Sequence, residues 1–375
     1  DRGDKAGCGA LFPAAAFGAM RVAMDKLRMK HAARLTRVVQ GAVDRDRITL
    51  FSVMKNERQV LPAFLDHYRG LGFEQFLIVD DRSSDDTRAY LARQPDCVIM
   101  EADRTFGEEI RYTDPEGTTK RIRFGTWLKI VVPHLFFDGQ VVAYFDADEF
   151  LLLPPGVISI RELIAGMAAR GETALMASMP EFFPRDASGL SGSMPQTSAG
   201  MFAAYPWFQP EALFRPGPFE KKPDFLAPPK TEALFARYGV EVPLDKRRWR
   251  DRLWMSSKDR AAQQAQTSAR HKTPLVLRSA ESYLTGSHSA NHPAATDRLL
   301  TIAHFVFTAD FADKVARARQ WQSYAHGSRK YHGYAMMMDA MEGVEDGFLD
   351  LDSRAYADPR QMLECGLMVW PEAAE

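Results

Sequence analysis

Carboxylates gather at two points in this chain where an apolar run stops. The first is Asp80-Asp81-Arg82-Ser83-Ser84-Asp85-Asp86-Thr87, directly after the run Phe76–Val79. The second is Asp146-Ala147-Asp148-Glu149, directly after Val141-Val142-Ala143-Tyr144-Phe145. Open α/β sheets bind ligands off the carboxyl ends of their strands, so both clusters stand where a site belongs. Asp80 and Asp81 can accept hydrogen bonds from a base or a ribose. Alternate residues of an extended segment face one side, which lets Asp146 and Asp148 point together. Two hard carboxylate oxygens suit Mn²⁺ or Mg²⁺, ions that also take substrate phosphates. Carboxylates this dense at the end of a buried strand repel one another, and a cation is the simplest compensation. Each cluster also reads as an acidic turn, with Asp85 and Asp86 favouring a helix N-terminus.

Histidine and positive charge complete the inventory. His288 follows Gly286-Ser287 and is the first choice to join the carboxylates as a metal ligand, ahead of His304 and His292. A structural histidine is the plain alternative for each. Lys246, Arg247, Arg248, Arg250 and Arg252 are interleaved with Trp249 and Trp254, and Lys272 and Arg278 follow. Arg247, Arg248 and Lys272 are candidates to neutralise a bound diphosphate and a departing one. A solvated basic loop is the common alternative, and one short Arg/Trp run is weak evidence for nucleic acid. No Walker A, Gly-x-Gly-x-x-Gly or Gly-x-Ser-x-Gly sequence falls at a strand–helix junction. This disfavours P-loop, classical dinucleotide and α/β-hydrolase chemistry.

The elements that must position these groups alternate. Strands are expected at Ile48–Met54, Phe76–Val79 and Cys97–Met100, separated by a helix through Leu61–Leu71 and one capped by Ser83 or Ser84 and running to Leu91. The charged, Pro- and Gly-containing stretch Asp103–Arg123 reads as a loop that could move. A helix over Phe124–Leu135 leads into the strand Val141–Phe145. The helix Ile160–Ala169 and the strand Leu175–Met179 close the first half. This is a doubly wound α/β pattern. Pro and scattered aromatics mark 180–243, where Tyr205, Trp207 and Phe208 suit either sugar stacking or core packing. Strands at Leu275–Leu277 and Thr301–Phe307 and a helix from Asp310 past Tyr324 follow.

Composition excludes whole classes. The chain has 375 residues with 48 Lys+Arg against 49 Asp+Glu, so it is large enough for a substantial core and too neutral to hold nucleic acid by bulk charge. Cys8, Cys97 and Cys365 cannot build a disulfide framework or a cysteine zinc site, which favours a reducing, cytoplasmic setting. No window approaches the roughly 18 apolar residues of a membrane span. Residues 21–37 carry Arg21, Lys26, Arg28, Lys30, Arg34 and Arg37 against Asp25. They read as a basic amphipathic helix, packed on the domain or resting on a membrane surface. The segment ahead of it is a weak signal-peptide candidate, and the chain does not begin with Met.

Three motifs in order carry a resemblance. Ser52-Val53-Met54-Lys55-Asn56-Glu57, then Val79–Thr87, then Phe145-Asp146-Ala147-Asp148-Glu149-Phe150 resemble the family 2-like nucleotide-sugar glycosyltransferases with the GT-A fold, nearest to the bacterial branch related to family 92. Lys272-Thr273-Pro274-Leu275 and Gly286-Ser287-His288 resemble that branch's ending. The likeness is dense over 48–153 and sparse over 245–310. It implies a Rossmann-like mixed sheet flanked by helices, with a C-terminal helical extension. The implied divisions are a basic arm 1–46, a nucleotide-sugar half 47–180, an acceptor half 181–310 and the extension 311–375. Lys55, Glu57, Asp80, Asp81 and Asp146 would bind nucleotide, and Asp146, Asp148 and His288 would hold Mn²⁺ or Mg²⁺.

The implied donor is a nucleoside-diphosphate sugar, and the implied acceptor is a hydroxyl on a glycan, lipid or protein. Inversion would require a carboxylate base, for which Glu181, Glu220, Asp224 and Asp245 are equal candidates. A nucleotidyltransferase would want a Gly-rich phosphate loop in place of Lys55-Asn56-Glu57. A phosphohydrolase would want Thr or Val where Glu149-Phe150 stand. A non-catalytic nucleotide- or glycan-binding module is the remaining alternative.

Overall fold

Apolar runs that lack alternation become strands covered on both faces. In the computed structural model, which describes residues 26–210, 229–241, 270–292, 294–295, 297–321 and 329–371, Thr49–Met54 and Gln75–Asp80 are buried at every position. Parallel strands sandwiched between helices require such sequences. These two pair in parallel with each other. Cys97–Ala102 and Val141–Tyr144 flank them, also in parallel.

The whole sheet has nine strands, in the order Thr36–Gln40, Cys97–Ala102, Gln75–Asp80, Thr49–Met54, Val141–Tyr144, His271–Leu277, Ala174–Ser178, Leu300–His304 and Glu149–Leu152. His271–Leu277 runs antiparallel to both its neighbours. The sheet is therefore a parallel block continued by a mixed one. Strands from late in the chain lie beside the strand that carries the Asp146 turn.

Helices cover both faces. Leu61–Gly70 buries Leu61, Phe64, Leu65 and Tyr68 on one face, where Leu163 and Met167 of Ile160–Ala169 join them. Phe124–Phe136 buries Phe124, Trp127, Leu128 and Val131 on the other. Each such side chain contributes roughly 1.5–3 kcal/mol by leaving water. A third cluster joins Phe183 and Phe307 to Lys230–Arg237, Phe311–Trp321 and Arg329–Met341, the C-terminal helical layer. The expected mixed sheet flanked by helices is what the chain forms. Among the described residues, no helix is long and apolar enough to cross a membrane.

Three local expectations fail, each for a physical reason. The stretch 103–123 is not a loop: Glu109–Thr113 and Thr119–Arg123 form an antiparallel hairpin. Ile110 and Tyr112 face the core there with Ile122 packed beside them, and charge on the exposed positions masks the period of two. Residues 26–40 are not one helix. Lys26–Leu27 pairs in parallel with Glu109–Thr113, only Ala32–Leu35 is α-helical, and Thr36–Gln40 is an edge strand on Cys97–Ala102. Arg37 there pairs with Glu101 across the strands, and residues 1–25 of the arm lie outside the described residues. Finally, neither Ser83 nor Ser84 caps the next helix. It begins at Thr87, whose N–H donates to Asp85 at 3.0 Å.

Candidate active site

Met54 and Asp80 are register partners at the carboxyl ends of neighbouring parallel strands, so the two following loops meet. Asn56 sits at φ +56°, a left-handed conformation that Asn tolerates better than most residues. Its Oδ1 accepts the Ser84 N–H at 2.7 Å, and its own N–H donates to Ser83 Oγ at 2.9 Å. The Glu57 N–H donates to Thr87 Oγ1 at 2.9 Å. Asp80 is consumed within its own turn, accepting the N–H and hydroxyl of Ser83. It therefore serves the loop rather than a ligand.

Asp81 differs. Its Oδ2 takes Lys55 Nζ at 3.2 Å, and its Oδ1 is buried with no hydrogen-bond partner. The Phe106 backbone also faces this carboxyl, but no donor reaches Oδ1 in hydrogen-bonding geometry. Burial pushes Asp81 upward, with Lys55 opposing.

Asp81 lines a pocket of about 270 Å³ together with Lys55, Phe106, Arg123, Thr126 and Lys129. The wall carries three cations against one carboxylate. Arg123 is the N-cap of Phe124–Phe136, so the positive end of that helix dipole adds to them. Phe106 closes onto this first turn because residue 125 is glycine: a Cβ there would stand 2.9 Å from the Phe106 side chain. Glu57, Asp80, Asp146 and His288 are not part of this wall.

The second acidic cluster is a turn rather than a continued strand. The Glu149 N–H donates to the Asp146 carbonyl at 3.2 Å, and the Asp146 N–H donates to Glu149 Oε2 at 2.8 Å. Asp146 and Asp148 consequently take different partners. Asp146 Oδ1 accepts Lys129 Nζ at 3.0 Å and the Tyr144 hydroxyl, and its Oδ2 accepts Lys272 Nζ at 3.2 Å. Asp148 Oδ2 lies 3.8 Å from His304 Nε2. Lys272 has no exposed surface and also pairs with the buried Glu149. Burial opposes ionisation of Asp146, yet Lys129 and Lys272 hold its carboxyl well below the usual range. Two ammonium groups supply the compensation expected of a cation.

His288 is neutral. Burial, then Lys272, pushes it down to about 3, and its Nδ1 donates to the His271 carbonyl at 3.1 Å. A carbonyl only accepts, so Nε2 keeps its lone pair. That nitrogen alone suits a metal. The carboxylate beside it does not, because both Asp146 oxygens are engaged by cations. Among the described residues, no group of three or more His, Cys, Asp and Glu is arranged to hold a metal ion. The donor set present does not fit Mn²⁺ or Mg²⁺.

Glu57 is not among the residues that line the pocket. Its Oε2 is buried without a hydrogen bond and lies 3.9 Å from Lys314 Nζ. Burial pushes Glu57 up to about 8, with Lys314 opposing and Asp148 reinforcing. Lys314 stays an ammonium through Asp310 at 3.2 Å.

Of the base candidates, Glu181 is committed elsewhere. Its oxygens accept the Thr231 N–H at 2.7 Å and the Thr231 hydroxyl at 2.8 Å, satisfying the first turn of Lys230–Arg237. Glu181→Ala should lower unfolding stability by about 1–3 kcal/mol, the cost of buried donors left unmet, with turnover in the folded fraction unchanged. Urea titration beside a rate assay checks both, and a rate loss without a stability loss would restore Glu181 as the base.

Glu220, Asp224, Asp245, Arg247 and Arg248 lie outside the described residues. Tyr205 and Phe208 are core residues, as one of the two readings allowed. Lys129, Arg123 and Phe106 were missed. The signal for Lys129 was a lone cation inside Trp127-Leu128-Lys129-Ile130-Val131.

No family model matches the chain, and no curated protein matches it. Among solved structures it is similar to S. aureus TarS 1-349 in complex with UDP, at 11% identity and a TM-score of 0.27, covering 36% of each chain. A second structure of S. aureus TarS gives the same identity and TM-score, with 36% of this chain and 22% of that one covered. The chain thus spans about a third or less of those structures, and likeness at this level carries no argument. The fold and the pocket, taken alone, define an α/β protein with a cationic pocket at the carboxyl ends of its parallel strands.

Proposed function

We propose that the chain is a glycosyltransferase that moves a sugar from a nucleoside-diphosphate sugar to a hydroxyl acceptor. The observation that carries this reading is Asp81, whose buried, unmet Oδ1 shares one pocket wall with Lys55, Arg123 and Lys129. An unmet carboxylate oxygen asks for an N–H or O–H donor, which a base or ribose supplies. Three cations ask for an anion, which the diphosphate supplies. The two demands stand at one pocket, and a nucleoside diphosphate meets both. Phe106 offers an apolar side chain to the base.

In the transfer, the acceptor oxygen forms a bond to the anomeric carbon. The bond from that carbon to the diphosphate oxygen breaks, and its electron pair leaves with the nucleoside diphosphate. The cationic wall stabilises that departing charge. The acceptor proton goes to a carboxylate, and an inverting course needs one such base. Glu57 is the carboxylate we assign: it lies two residues after Lys55 of the pocket wall, and burial raises it to about 8 against the opposing charge of Lys314.

Calorimetry with UDP, GDP, CDP and dTDP tests the donor class. One of the four should bind, and Asp81→Ala should weaken it by about 10–100-fold, the loss of a hydrogen bond to a charged group. Inorganic pyrophosphate should keep its affinity in that variant. If none of the four binds the wild-type chain, the reading fails.

A further inference from the structure

Resting on the glycosyltransferase reading, we propose that Lys129, with Lys272 behind it, takes the place of a divalent ion in holding the donor diphosphate, so that donor binding needs no metal. Asp146 is the residue on which a metal reading would turn, and both of its carboxylate oxygens already face ammonium groups. Lys129 and the Tyr144 hydroxyl hold one oxygen, and Lys272 holds the other. A divalent ion arriving there would stand against two ammonium groups. Neither lysine is a loose surface chain. Lys272 has no exposed surface, is fixed by Glu149 as well, and lies 4.2 Å from the centroid of the Tyr144 ring. Lys129 lies 4.8 Å from the same ring centroid. Asp148 faces His304 instead.

The two lysines divide the work. Asp146 and Glu149 balance Lys129 and Lys272, so the buried cluster is neutral as a unit and needs no further cation. Lys129 is also part of the pocket wall and keeps 15% of its side-chain surface exposed. It therefore presents to the pocket an ammonium whose position Asp146 fixes. Lys55 is paired with Asp81 on that wall, so it is Arg123 that leaves the wall net positive where a diphosphate would lie. Positioned ammonium and guanidinium groups do what a metal does at a diphosphate: they offset its charge before and after the bond to the sugar breaks.

The test is calorimetry on the full chain with inorganic pyrophosphate and with the tightest binder among UDP, GDP, CDP and dTDP. Each is titrated in EDTA and again with excess Mn²⁺. Dissociation constants should agree within about threefold between the two buffers. Lys129→Met should weaken both ligands about tenfold or more in EDTA, and Lys129→Arg should restore most of the loss. Binding only with Mn²⁺ overturns the inference and leaves the glycosyltransferase reading standing. Binding in neither buffer overturns both. A Lys129→Met protein that binds as tightly as wild type in EDTA removes Lys129 from the role. The wild-type comparison decides the metal question even if that variant fails to fold.

Discussion

Lys272→Met should lower the free energy of unfolding by about 3–5 kcal/mol, the usual result of removing one partner from a buried charge pair. Lys272 has no exposed surface, and its ammonium serves Asp146 and Glu149 together. Its strand, His271–Leu277, joins the parallel block to the rest of the sheet through Val141–Tyr144 and Ala174–Ser178, so the damage falls in the centre of the fold. The pH dependence should also shift towards loss of stability as pH rises. In the wild-type chain Asp146 is held well below its ordinary value, so its contribution is present above the unfolded pKa and lost as pH falls through the folded one. Burial already raises Glu149 in the wild-type chain with Lys272 opposing it, and without Lys272 that rise is larger. The variant then gains stability on mild acidification and loses it as pH rises. Urea unfolding at neutral and mildly acidic pH checks this. A loss under about 1 kcal/mol, or the same pH slope in both proteins, would remove Lys272 from the centre of the electrostatics. Adding Glu149→Gln to Lys272→Met should recover part of the loss.

Glu57→Gln should cut turnover by roughly 100-fold or more, the range that a positioned general base contributes. Donor affinity should stay within about twofold, because Glu57 is not on the pocket wall. The base works deprotonated. Burial pushes Glu57 up to about 8, so the wild-type rate should climb with pH through that value and then level. The variant should show no such rise. A retained rise in Glu57→Gln, or a turnover loss smaller than about fivefold, assigns the proton to another group.

Much of the frame was legible. Thr49–Met54 and Gln75–Asp80 are continuous apolar runs that end in polar loops, and such patterns mark buried parallel strands at once. The helix Ile160–Ala169 was legible to the residue, with Ser159 accepting the Glu162 N–H as its cap. The hairpin Glu109–Arg123 was not, because only one face of it is buried and charges fill the other. The division of labour between Asp80 and Asp81 was equally hidden. They are adjacent and chemically identical, and only the folded loop turns one onto Ser83 and the other into the pocket.

The sequence by itself determined which acidic residues follow a strand's end, since those residues and the strand are contiguous in the chain. It also marked the chain as an α/β protein with carboxylates at two strand ends. Only the tertiary structure decided what neutralises them. Lys129 lies 17 residues before Asp146 and Lys272 lies 126 after it. One arrives on a helix packed against the sheet and the other on an antiparallel strand inserted beside Val141–Tyr144. Coulomb energy depends on distance in space and on burial, and neither is written along the chain. Of the acidic pair that called for a metal in one dimension, Asp146 meets two lysines in three and Asp148 meets His304.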